Sequence, residues 1–69
     1  MKEFQSRLRE LRVERGISQG GLSKALGLSR NVITNYELGI REPSLDTLKA
    51  ICDFFDVPAD YLIGRVDSY

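Results

Sequence analysis

Apolar residues in this chain recur at helical spacing in short stretches, and a glycine or proline cuts each stretch after a few turns. No stretch alternates apolar and polar side chains with β-branched enrichment, so strands are not expected. Short helices with short connections leave one economical arrangement, a compact all-α bundle. The spacing predicts five helices. The first spans about Lys2 to Glu14, with Phe4, Leu8 and Leu11 on one stripe, Arg7, Arg9, Arg12 and Arg15 around it, and Gly16 closing it. The second spans Ser18 to Leu26, capped by Ser18, with Leu22, Ala25 and Leu26 facing inward and Gly27 after it. The third spans Ser29 to Leu38, capped by Ser29 and stopped by Gly39, with Val32, Ile33 and Tyr36 as its apolar face. The fourth follows Pro43, from the cap Ser44 to Phe55. Asp46 suits its positive end, and Leu45, Leu48, Ile51, Cys52 and Phe55 form a core face. The fifth spans Pro58 to Ile63, with Pro58 in its first turn, Leu62 and Ile63 inward and Gly64 after its end. Residues 65–69 read as a flexible tail or linker stub, which leaves residues 1–64 as the domain.

The size narrows the function. Sixty-nine residues make one domain with a small core. A deep catalytic cleft does not fit in so little chain. There is no His, and Cys52 is the single cysteine. A zinc site or a disulfide framework is therefore not expected, and Cys52 reads as a small buried hydrophobe. Asp53, Asp56 and Asp60 lack the spacing of a calcium loop and read as solvated surface charges. Gly20-Gly21 lacks the strand and the Gly-Lys-Ser/Thr sequence of a phosphate-cradling loop. No catalytic residue, cofactor or metal is expected, and the chain does not read as an enzyme. No apolar run approaches the ~20 residues of a membrane span, no secretory signal is evident, and a lone cysteine fits the cytoplasm.

The charge is more informative by halves. The ten basic and ten acidic residues cancel. Residues 1–41 hold eight basic and four acidic side chains, a net +4, whereas residues 42–69 hold two and six, a net −4. A neutral total thus conceals a dipolar molecule whose basic half can steer a polyanion.

That basic half contains the informative element. Two short helices are joined at Gly27-Leu28, with Gln19, Ala25, Gly27, Ile33 and Leu38 at the spacing of a helix-turn-helix. A plain αα-hairpin satisfies the same spacing. The third helix separates the two readings, because its outward face is Arg30, Asn31, Thr34 and Asn35. Two Asn and a Thr weaken a helix relative to Glu or Lys. They and Arg suit base edges instead, since Arg can fork onto guanine and Asn onto adenine.

The run from Ile17 to Leu48 resembles the Cro/phage-repressor (Xre-type) helix-turn-helix family. The resemblance rests on Ser18-Gln19, on Leu22-Ser23-Lys24-Ala25-Leu26-Gly27-Leu28-Ser29 and on Val32-Ile33-Thr34-Asn35-Tyr36-Glu37. Leu8-x-x-Leu11-Arg12, Gly16, Glu37-x-Gly39-x-Arg41-x-Pro43 and the ending from Phe54 to Gly64 extend it to about residues 4–65. It implies a five-helix bundle of the lambda-repressor-like type whose third helix lies in the major groove. Ser29, Arg30, Asn31, Thr34 and Asn35 then become base readers. Gln19, Tyr36 and Arg41 become phosphate contacts, with half-buried core as the equal alternative for Tyr36. Arg12 and Glu37 match a structural salt bridge between the first helix and the end of the third. A single module buries only ~600–1,000 Å² on DNA, so a homodimer on a palindromic operator with half-sites ~34 Å apart is expected. Phe54, Tyr61, Val66 and Tyr69, at the edge of the predicted core, suggest that the fifth helix and tail make the dimer contact.

The departures carry their own expectations. Gly20 and Gly21 stand where the family usually has good helix formers, so the second helix should fray at its start and weaken the Gln19 contact. Leu38 and Ile40 flank Gly39 where Lys, Arg or Asn is usual, which implies a shallow salt dependence of DNA binding. The function implied is sequence-specific binding of double-stranded DNA by a transcriptional regulator, most simply a repressor. The alternative is a protein-interaction module on the same fold, antitoxin-like or antirepressor-binding, using Leu38, Ile40 and the C-terminal aromatics.

Overall fold

The computed structural model describes residues 1–69 as five helices and no strand: α1 (Lys2–Glu14), α2 (Gln19–Ala25), α3 (Val32–Glu37), α4 (Leu45–Phe55) and α5 (Ala59–Leu62). The Cα radius of gyration is 10.8 Å, close to the ~11 Å of a folded domain of this length. None of the helices is long and apolar enough to cross a membrane.

The core is the apolar stripe of each helix turned to one centre. Phe4, Leu8 and Leu11 of α1 meet Leu22 of α2, Val32, Ile33 and Tyr36 of α3, Ile51, Cys52 and Phe55 of α4, and Leu62 of α5. The helical periodicity anticipates all of these. Val57 is buried as well, although it lies between helices. Two expectations of inward packing are corrected. Ala25 is exposed, and Leu45 is 84% exposed. Both sit at helix ends, where the stripe runs off the edge of the small core.

Local capping works as expected at two starts. The Ser18 hydroxyl accepts from the Gly21 N–H at 2.9 Å, and Ser44 accepts from the Thr47 N–H at 3.2 Å. Each satisfies one of the N–H groups that a helix start leaves without a partner. Pro58 proves to be the N-cap of α5 rather than part of its first turn.

The start of α3 differs from its expected form. Ser29, Arg30 and Asn31 form a turn, with the Val32 N–H bonded to the Ser29 carbonyl at 3.2 Å, and the helix begins only at Val32. Ser29 caps nothing. The cap comes from α2, where the hydroxyl of Ser23, 1% exposed, accepts from the Ile33 N–H at 3.3 Å. A buried N–H without a partner costs about 1–3 kcal/mol, so this bond decides where α3 can begin.

The end of the chain is tied down. Arg7 on α1 donates to the carbonyls of Tyr61 and Val66, the second at 2.6 Å, and its guanidinium lies 4.4 Å from the centre of the Tyr61 ring. Tyr69 stands edge-on to that ring at 4.6 Å. Of the residues expected to form a tail, Val66 and Tyr69 thus have partners on the helices, in Arg7 and Tyr61.

Candidate nucleic-acid interface

The helix-turn-helix is α2, the turn at Gly27 and α3. Gly27 has φ +69°, a left-handed conformation that side chains resist. The Leu28 N–H then bonds to the Ser23 carbonyl at 2.8 Å, turning the chain toward α3. Ser23 thus holds both sides of the turn, through its carbonyl at the exit of α2 and its hydroxyl at the start of α3.

Below the outward face lies a chain of hydrogen bonds. Arg12 grips Glu37 with two bonds, Nε to Oε2 at 2.6 Å and Nη2 to Oε1 at 3.1 Å, and donates Nη1 to the Ile17 carbonyl at 2.9 Å. Both side chains are largely buried, at 11% and 4% exposed. Gln19 Nε2 also donates to Glu37 Oε1, at 3.0 Å. Thr34 Oγ1 in turn donates to Gln19 Oε1 at 2.9 Å. The series Arg12–Glu37–Gln19–Thr34 therefore joins α1, the first turn of α2 and the half-buried flank of α3. No spacing rule points to the Gln19–Thr34 contact, since the two residues are on different helices.

The expected reading residues fall into two groups. Ser29, Arg30 and Asn31 are exposed in the turn that leads into α3. Thr34 and Asn35, half-buried, follow them one helical turn later on the same side. The side chains of Arg30, Asn31 and Asn35 make no hydrogen bond or ion pair within the protein. The Asn35 carbonyl accepts the N–H groups of Ile40 (3.0 Å) and Arg41 (3.3 Å), which folds the connection after α3 back beside it. Gly39, at φ +76°, permits that fold, and a side chain there would strike Gln5.

Of the two readings that the sequence left open for Tyr36, the structure bears on one, the core. Its ring is core, 2% exposed overall and edge-on to Phe4 at 5.9 Å. Its hydroxyl has no partner in the chain, yet it is not a sealed polar atom, so the oxygen reaches the surface. Arg41 is exposed and unpaired. The positive groups not engaged elsewhere are Lys2, Arg9, Lys24, Arg30 and Arg41, all in the basic half of the sequence. Burial pushes the Cys52 thiol above its ordinary value, with Asp53 adding to the effect. No group of acidic or cysteine side chains is gathered as a metal site.

Comparison with known proteins agrees with this geometry. A helix-turn-helix family model matches residues 8–62. The chain is 35% identical over 65 residues to the cryptic phage CTXphi transcriptional repressor RstR of Vibrio cholerae, covering 94% of this chain and 59% of that protein. It is 36% identical over 59 residues to the HTH-type transcriptional regulator ImmR of Bacillus subtilis (strain 168), covering 86% of this chain and 46% of that protein. It is also 36% identical over 62 residues to the HTH-type transcriptional activator BcrR of Enterococcus faecalis, covering 90% of this chain and 30% of that protein. The chain spans about half the length of the first of the curated relatives it matches. With the match running from α1 to α5, across the α2–α3 turn and the buried Arg12–Glu37 pair, this chain belongs to the Cro/phage-repressor (Xre-type) helix-turn-helix family.

Proposed function

We propose that the chain binds double-stranded DNA sequence-selectively and regulates transcription, most simply as a cytoplasmic repressor that occupies an operator and excludes polymerase. The observation that carries this reading is the unpaired polar face of Arg30, Asn31 and Asn35, held over an α2–α3 pair that is joined by the Thr34–Gln19 bond. The major groove is about 12 Å wide and admits a helix. Arg30 and Asn31 enter first, from the turn, and Asn35 follows. Ser29 and Thr34 contribute at the edges. Gln19, the Tyr36 hydroxyl and Arg41 meet the phosphates on either side. Both named functions among the relatives, repressor and activator, are compatible with the same reading head.

Two copies on a palindromic site complete the proposal. The molecule measures 30 × 23 × 19 Å, so copies on half-sites ~34 Å apart lie side by side. α5 and the Tyr61–Tyr69 pair supply the contact. Selection from random duplexes at physiological salt tests the whole reading. One enriched symmetric motif is expected, lost in an Arg30→Ala/Asn31→Ala variant that melts like the parent. Absence of any motif refutes it. With so few free cations in each copy, log K per bound copy is expected to fall against log salt with a slope shallower than about −6.

A second reading rests on Leu38 and Ile40, which are 65% and 70% exposed beside the reading helix. It makes this face a site for another protein. Under it, Arg30→Ala/Asn31→Ala leaves partner binding intact.

A further inference from the structure

We infer that the partly buried hydrogen-bond chain fixes the hydroxyl proton of Thr34 toward the protein, and that Thr34 thereby selects against guanine at the base pair it faces. The inference rests on the proposal that α3 reads the major groove.

The direction of each bond follows from chemistry. Glu37 is gripped at both oxygens by Arg12, so it is a carboxylate and can only accept. The Gln19 amide must then turn its nitrogen to Glu37, and that places its oxygen toward Thr34. An amide oxygen cannot donate, so the Thr34 hydroxyl spends its single proton on Gln19. What Thr34 can still present outward is an oxygen that accepts and a methyl group.

The major-groove edges respond differently to such a probe. Guanine shows two acceptors, O6 and N7, and would face a lone pair. Adenine N6 and cytosine N4 are donors and match it, and the thymine methyl can pack on the Thr34 methyl. An isolated threonine hydroxyl turns freely and tolerates either kind of edge. Here the rotor is held by Gln19, 15 residues back in the chain, which the pair Arg12–Glu37 holds in turn. Gln19 is in this respect a positioning residue for specificity, separate from its phosphate contact.

The test compares base preferences rather than affinities. Selection from random duplexes is run with the parent chain, Thr34→Val, Thr34→Ser and Gln19→Met, each checked for an intact melting transition. The position whose preference changes in Thr34→Val is the one that Thr34 faces. At that position the parent is expected to disfavour guanine roughly 5-fold or more, the scale of a single mismatch. Thr34→Ser keeps the ratio. Gln19→Met frees the hydroxyl and brings guanine within about 2-fold of the best base, while any lost phosphate contact lowers all sequences alike. Guanine preferred by the parent, no position altered in Thr34→Val, or an unchanged ratio in Gln19→Met would each overturn the inference while leaving the DNA-binding reading in place. A parent chain that enriches no motif refutes that reading itself, and this inference with it.

Discussion

Replacing Arg12 with Met should unfold much of this domain's margin of stability. Arg12 is 11% exposed and Glu37 4%. The substitution removes the bonds of 2.6 and 3.1 Å to the carboxylate and leaves the Ile17 carbonyl without its 2.9 Å donor. Glu37 would retain one neutral donor, Gln19. A charge-assisted bond contributes about 1.5–3 kcal/mol, and breaking one side of a buried pair costs about 3–5 kcal/mol. A domain of this length holds only about 3–10 kcal/mol in total. The midpoint of thermal unfolding should fall by roughly 12 °C or more. The Arg12→Met/Glu37→Met double variant should be far less damaged than the two single losses summed, because no charge is left stranded. The coupling expected is about 2 kcal/mol or more. Urea unfolding followed by far-UV circular dichroism measures all three variants. Additivity within ~0.5 kcal/mol, or a loss under ~1 kcal/mol for Arg12→Met, would refute the argument and place the pair with ordinary surface ion pairs.

Other consequences follow from single contacts. Ser23→Ala strands the buried Ile33 N–H and should cost about 1–3 kcal/mol by the same urea assay, whereas Ser29→Ala should cost less than ~0.5 kcal/mol, since Ser29 caps nothing. Arg7→Ala should release the residues after α5, seen as faster exchange of the Arg65 and Val66 amides with α2 and α3 unchanged. The Cys52 thiol is held above its ordinary 9.0 in the folded chain. Its contribution is complete below that value and is lost as pH rises through the raised one, because the unfolded thiol ionises first. Stability of the parent should therefore decline above about pH 9 relative to Cys52→Val, and a parallel pair of curves would contradict the assignment.

The corrected positions share a cause. Leu45 and Ala25 have the right period and the wrong place, since periodicity specifies a face and not how far the core extends along it. Ser29 has the composition of a cap, but the hydroxyl that meets the start of α3 is that of Ser23, from across the turn. Gln19 and Thr34 were both legible as candidate DNA contacts from their positions. That they hold each other was not, because their bond joins residues 15 apart that meet only when α3 crosses α2.

The sequence by itself determined what local physics controls. Helix periods, serine caps, glycine stops, the apolar stripe and the division of charge all act within about a turn of chain or are simple counts. The polar side of α3 at Thr34 and Asn35 belongs to this class, for it needs only the register of one helix. The tertiary structure alone decided the cap of α3, the direction of the Arg12–Glu37–Gln19–Thr34 bonds and the fastening of the last residues by Arg7. Each of these joins groups 10 to 59 residues apart. Their partners are chosen by which side chains the packed helices bring within hydrogen-bonding distance, and no local pattern encodes that meeting.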